Sequence, residues 1–166
     1  MKVKIIRSKR RRRSVGARLV DDLLLINAPL LISQDRLDEM INDFKLKFTG
    51  EKIKTRLDKE KNLLALANLL NKEYFDNQLK IKSIEYTTNQ NTRFGCCNYR
   101  TAEILISHRI GLMPKWVRKY VLLHEMAHLI QPNHSRAFWE MVYRYRLTER
   151  TRGYLMGAST GMKEGG

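Results

Sequence analysis

His124-Glu125-Met126-Ala127-His128, followed by Gln131-Pro132-Asn133-His134, places three of the chain's four histidines within eleven residues. In a helix, residues four apart share one face. His124 and His128 can therefore grip a single ion, with Glu125 on the same turn and within reach of a water on that ion. Gln131-Pro132-Asn133 then ends or bends the helix, because proline has no N–H and disfavours helical geometry in the residue before it. The turned chain can bring His134 back as a third ligand, although Pro-Asn-His also reads as a surface turn. Three protein ligands plus a water describe catalytic zinc, whereas closed four-ligand sites are structural. His108 has no metal spacing to the other three and reads as an ordinary hydrogen-bonded histidine.

Upstream of the motif, Pro114 suits a helix start, and Val117, Tyr120 and Val121 carry the apolar stripe into His124 and His128. Further back, Ile84, Tyr86 and Thr88 alternate, Asn89-Gln90-Asn91 reads as a turn, and Thr92 to Cys97 and Ala102 to Ser107 read as two more strands. Ser33 can cap a helix with Leu37, Met40, Ile41, Phe44 and Phe48 on one face, broken at Thr49-Gly50. A second helix carries Leu63, Leu66, Leu70 and Tyr74. The first 32 residues read as β: Val3 and Ile5, then Val15, Ala17 and Leu19, then Leu23 and Leu25, with a tight turn at Asp21-Asp22. Downstream, a helix from about Ser135 carries Phe138, Val142 and Tyr145. The expected organisation is a single α+β domain over 1–156. Within it, 1–32 form a β-segment, 33–78 a helical part and 79–156 the zinc-binding core, with 157–166 as a flexible tail.

At 166 residues the chain can bury a core without disulfide staples. Cys96 and Cys97 are adjacent in sequence, which argues against a disulfide-built secreted scaffold. No run approaches the apolar length of a membrane span; the richest, Leu23 to Ile32, is broken by Asn27 and Pro29. The basic N-terminus leads into no apolar signal core, so the expected address is cytoplasmic. A net charge of +15 favours anionic partners. Arg7 and Lys9 to Arg13 form one cluster, near the turn between the first two strands, and Arg144, Arg146, Arg150 and Arg152 form another. Each is either a solvated surface or a nucleic-acid contact. A basic nucleic-acid-binding protein with a structural or incidental zinc is therefore the rival reading, but it leaves Glu125 between two correctly spaced histidines unexplained.

Several stretches together resemble the YgjP-like metallopeptidase family, which is related to the SprT-type zinc proteases and has a minimal zincin core. They are Asn89-Gln90-Asn91-Thr92-Arg93-Phe94-Gly95-Cys96-Cys97, Pro114-Lys115-Trp116-Val117, Tyr120 to Glu125, Pro132-Asn133-His134 and Phe138-Trp139. Ile6 to Arg10, Ala28-Pro29, Thr148 to Arg150 and Arg152 to Leu155 are similar too. The chain departs from the family at Phe94 and Cys96, where the usual residues are Trp and Ser. The His128 to His134 spacing equals that of metzincins, but Gln131 stands where those enzymes carry Gly, and Met156 reads better as a packing residue than as their Met-turn.

The resemblance implies a zincin-like fold in which the active-site helix packs on a small antiparallel sheet. It implies a zinc peptidase acting on proteins or peptides, with Zn²⁺ on His124, His128 and His134 and Glu125 as general base. It also suggests Arg93 as a transition-state or substrate contact, a structural ion pair being the alternative. An extended substrate would add as a strand beside Ala102 to Ser107. By analogy with SprT relatives, a protease recruited to DNA-bound proteins is a further variant.

Overall fold

The computed structural model describes residues 1–60, 62–90 and 92–160 and divides the chain into two compact units, one of Met1–Ile53 and one that begins at Lys54. The first unit contains β1 (Lys2–Ser8), β2 (Gly16–Val20), β3 (Leu23–Pro29) and most of α1 (Gln34–Glu60). Its sheet runs β1-β3-β2, with β1 parallel and β2 antiparallel to the central β3. Asp21 takes a left-handed φ of 53° in the tight turn between β2 and β3. Strand alternation turns Leu24, Ile26 and Ala28 onto Leu37 and Ile41 of α1, which makes this unit's core.

Two expectations are corrected here. β1 and β2 do not pair, so the Arg run crosses past the end of β3 instead of lying at a turn between paired strands. α1 also passes straight through Thr49-Gly50. A lone glycine costs only about 1 kcal/mol in a helix interior, and good helix formers lie within a turn of it on both sides, Leu46 and Lys47 before and Glu51 and Lys52 after.

The second unit holds the end of α1, then α2 (Leu63–Phe75), β4 (Ser83–Thr87), β5 (Gly95–Asn98), β6 (Glu103–Ser107) and α3 (His108–Leu112). These are followed by α4 (Lys115–Ala127), α5 (Arg136–Val142) and α6 (Thr148–Thr160). Asn62 caps α2, its side-chain oxygen accepting from Ala65 N at 3.0 Å. The buried residues of α2 are Leu63, Ala67, Leu70, Asn71 and Phe75, so the stripe is rotated slightly from the expected one. α6 continues through Gly157 to Thr160, where a flexible tail was expected from 157; residues 161–166, Lys61 and Asn91 lie outside the described residues.

The second sheet is ordered β4-β6-β5, with β6 parallel to β4 and antiparallel to β5. The α+β, zincin-like class holds, but the sheet is mixed and not wholly antiparallel, because β6 returns between the two strands that precede it. α4 packs against α2, α3, α5, α6, β5 and β6. Its residues from Tyr120 to Leu123 and from Glu125 to Ala127 are buried on every side, as befits a central helix. Among the described residues no helix is long and apolar enough to cross a membrane.

Candidate metal centre

α4 ends where the chemistry begins. His128 is its C-cap residue. The chain then tightens into i→i+3 bonds, Leu129 N to Met126 O at 3.0 Å and Ile130 N to Ala127 O at 3.1 Å. Past Pro132 the chain reverses, and Ser135 caps α5 by accepting from Phe138 N at 3.3 Å.

This reversal brings His134 back over α4, with its Nε2 3.0 Å from Nε2 of His124. One ligand atom from each of His124, His128 and His134 lies within 4.8 Å of the others. Two zinc–nitrogen bonds of about 2.0–2.1 Å span at most about 4.2 Å, slightly less than that limit. His128 Nδ1 lies 3.1 Å from the carbonyl of Gln131. A proton donated there leaves Nε2 bare, as a metal ligand must be.

His124 is held well below its ordinary value, at about 3, first by burial and then by the charges of His128, His134 and Arg152. His128 is lowered as well, mainly by burial. Near neutral pH both imidazoles are therefore in the neutral form that binds a cation. Nδ1 of His124 is buried without a hydrogen-bond partner, so no hydrogen bond competes for this ring beyond the one shared with His134. The donor set fits a borderline-soft divalent ion.

Phe138 is fully buried and touches all three rings, stacking on His128 at 4.6 Å and meeting His124 and His134 edge-on at 4.9 and 4.7 Å. Trp139 stacks on His134 at 5.6 Å. A cavity of about 500 Å³ opens next to it, lined by Trp139, Arg136, Glu140, Tyr143 and Arg152.

Glu125 is only 8% exposed. Burial raises its carboxyl to about 7, opposed by the positive charge of Arg93. Its carboxyl group lies flat on Gly95 of β5, where a β-carbon would come within 2.6 Å of Oε1. Arg93 is exposed just before β5, close enough for its charge to act on Glu125.

Two contributors escaped the reading of the sequence. Gly95 was quoted there only as part of a motif, and its requirement for hydrogen in place of a side chain is visible only in the folded chain. Arg109 was not singled out at all. It donates from Nε to Ser107 Oγ and from Nη2 to the carbonyls of Gln90 and Arg93, and its guanidinium covers the Phe94 ring, so it anchors the connection that delivers Gly95.

The model of the YgjP-like metallopeptidase domain matches residues 48–148. The chain belongs to the YgjP-like family. Its metallopeptidase domain implies a metal ion and protein or peptide substrates. The matched range contains β4 to β6, α4 and all three clustered histidines. Residues 1–47 and 149–166, where similarity was also read, fall outside it. No curated protein and no solved structure matches the chain.

Other expectations meet the structure as follows. β6 is the central strand, so Ala102 to Ser107 has no free edge for a substrate; the free edges belong to β4 and β5. Ala102 itself sits in the β5–β6 turn with a left-handed φ of 55°. Met156 is 72% exposed on α6 and so is not a core packing residue. His108 Nδ1 lies 3.3 Å from the Thr87 carbonyl. Cys96 and Cys97 are free thiols and, among the described residues, neither joins the histidine cluster.

Proposed function

We propose that this member of the family is a zinc-dependent peptidase, with His124, His128 and His134 as metal ligands and Glu125 as general base. The observation that carries this reading is the convergence of three imidazoles beside a buried, neutral-leaning carboxyl on one helix end. Zinc held there would supply Lewis acidity, polarising a carbonyl and acidifying a water.

The remaining work falls to the chain's own groups. A carboxyl poised near 7 exchanges a proton at little cost at neutral pH, so Glu125 can take the proton of an attacking water and pass it to the leaving amine. Gly95 lets that carboxyl rest against β5 without steric conflict. Phe138 keeps water from the buried side of the rings. The exposed Arg93 is free to contact the developing oxyanion of a substrate laid along β5. β5 adjoins Glu125 and has an open edge, so an extended peptide would add there as a new strand. The cavity beside Trp139 would receive one of its side chains.

The rival reading, a structural zinc in a nucleic-acid-binding protein, calls for a fourth ligand. Among the described residues the cluster has three members.

The test is hydrolysis of a denatured protein by zinc-loaded chain. Glu125→Gln should keep zinc and lose about 10²- to 10⁴-fold in rate, while His124→Ala should lose both. Full activity in Glu125→Gln would remove Glu125 from its assigned role, and zinc retained by His124→Ala would place the metal elsewhere.

A further inference from the structure

A second cavity, of about 560 Å³, opens at the other end of α4. Its wall includes Lys115, Lys119, Arg144 and Arg146 together with the rings of Trp116 and Tyr74, and its one acid is Glu73. Lys115 and His124 are nine residues apart on α4, which is roughly 13 Å along the helix axis. The cavity shares no lining residue with the histidine cluster.

Its walls are tied in place. Arg144 donates to the carbonyl of Tyr74 at 2.6 Å, Tyr145 donates to the carbonyl of Trp116 at 2.9 Å, and the rings of Tyr74 and Tyr145 meet edge-on at 6.3 Å. Arg150 lies over the Trp116 ring at 5.0 Å and extends the positive surface.

We propose that this cavity binds single-stranded nucleic acid. Four cations against one carboxylate suit a run of phosphates, and flat indole and phenol walls suit unstacked bases. An acidic peptide would use the charges but gain no base stacking on the two rings. Duplex DNA hides its base faces within the helical stack and offers phosphates alone. Part of the Arg144 to Arg152 cluster thus acquires a specific place: Arg144 and Arg146 line the cavity, while Arg152 bonds to Glu149 and Tyr143 beside Trp139 and serves the metal end.

The experiment is fluorescence anisotropy of the full chain with a labelled single-stranded oligonucleotide, an abasic oligomer of equal length and a poly-glutamate peptide, across a salt series. Intact oligonucleotide should bind at least tenfold tighter than either control. Trp116→Ala should remove most of that preference over the abasic strand, by roughly tenfold or more. Lys119→Gln with Arg146→Gln should weaken all three ligands and flatten the salt dependence by about one to two counterions. Circular dichroism and zinc content, unchanged in both variants, separate loss of binding from loss of fold.

Equal binding of the abasic strand or of poly-glutamate would overturn the proposal in favour of a general polyanion surface. So would oligonucleotide binding unaffected by either variant. The readout does not involve peptide hydrolysis, so its failure and the failure of the peptidase reading are independent.

Discussion

The two three-stranded sheets share one connectivity. In each, the first and third strands are parallel, and the second is antiparallel to the third, which lies in the centre. In each, the second strand opens on a glycine, Gly16 in β2 and Gly95 in β5. The second sheet packs through β5 and β6 on α4, the helix of His124 and Glu125, and the two sheets differ in the connection from first strand to second.

Between β1 and β2 that connection is a run of exposed arginines with short local contacts, such as Arg11 Nη1 to Ser14 Oγ at 3.4 Å. Between β4 and β5 it is pinned by Arg109 and by Ser107, whose N–H donates to the carbonyl of Phe94 at 2.9 Å. The same topology leaves one loop in solvent and makes the other a support for the Glu125 carboxyl. Anchoring by side chains on the central strand and the helix after it separates the two.

Replacing the two glycines should break the symmetry most sharply. A β-carbon at Gly95 must displace the Glu125 carboxyl, so Gly95→Ala should cut hydrolysis by about 10²- to 10⁴-fold, the range of a general base's contribution. Zinc content, measured alongside, should stay at the wild-type level. Unchanged kinetics would mean that Glu125 does not need its place against β5.

Removing the anchors comes next. Arg109→Ala should cost about 1.5–3 kcal/mol in denaturant unfolding, because its half-buried charge holds two carbonyls and a hydroxyl. Arg11→Ala, at the corresponding loop of the first sheet, should fall within about 0.5 kcal/mol of wild type. Equal losses would show that the two connections are anchored alike.

Acid should also tell the units apart, since all four histidines lie beyond residue 53. His124 binds a proton near 6.5 when unfolded and near 3 when folded. As pH falls between those values the unfolded chain takes up protons that the fold refuses. The stability contributed is thus complete above 6.5 and drains away toward 3. The melting temperature of metal-free protein should drop over that window, and the drop should shrink in His124→Gln. An identical pH profile in the variant would assign the acid sensitivity to other groups.

The smallest effect belongs to Gly16→Ala. Its β-carbon would meet only the tip of the Arg11 side chain, at 3.4 Å, and its φ is not positive. A gain of about 0.4–1 kcal/mol is expected from the stiffer unfolded chain, read as a shift in denaturation midpoint.

Much of the candidate site was legible because it is local. A spacing of four puts His124 and His128 on one face whatever surrounds the helix, and a proline four residues past the C-cap makes a reversal toward His134 cheap. The alternation that marked the strands is likewise a near-neighbour property. Strand order was not legible: Ala102 to Ser107 reads as an apolar strand in any position, and only pairing on both sides makes β6 central and hands the open edge to β5. The break expected at Thr49-Gly50 failed for a related reason, since one glycine's cost is smaller than what the continuous helix gains on both sides.

What the sequence alone determined is the chemistry available: three imidazoles, a carboxylate between two of them, and an excess of positive charge. The tertiary structure decided which of these groups meet. It set Gly95 beneath Glu125, Phe138 among the three rings, and four cations around Trp116 and Tyr74. Apart from the pairing of Phe138 with His134, those contacts join residues well separated in the chain. Their distances follow from strand order and helix packing, and no local periodicity encodes them.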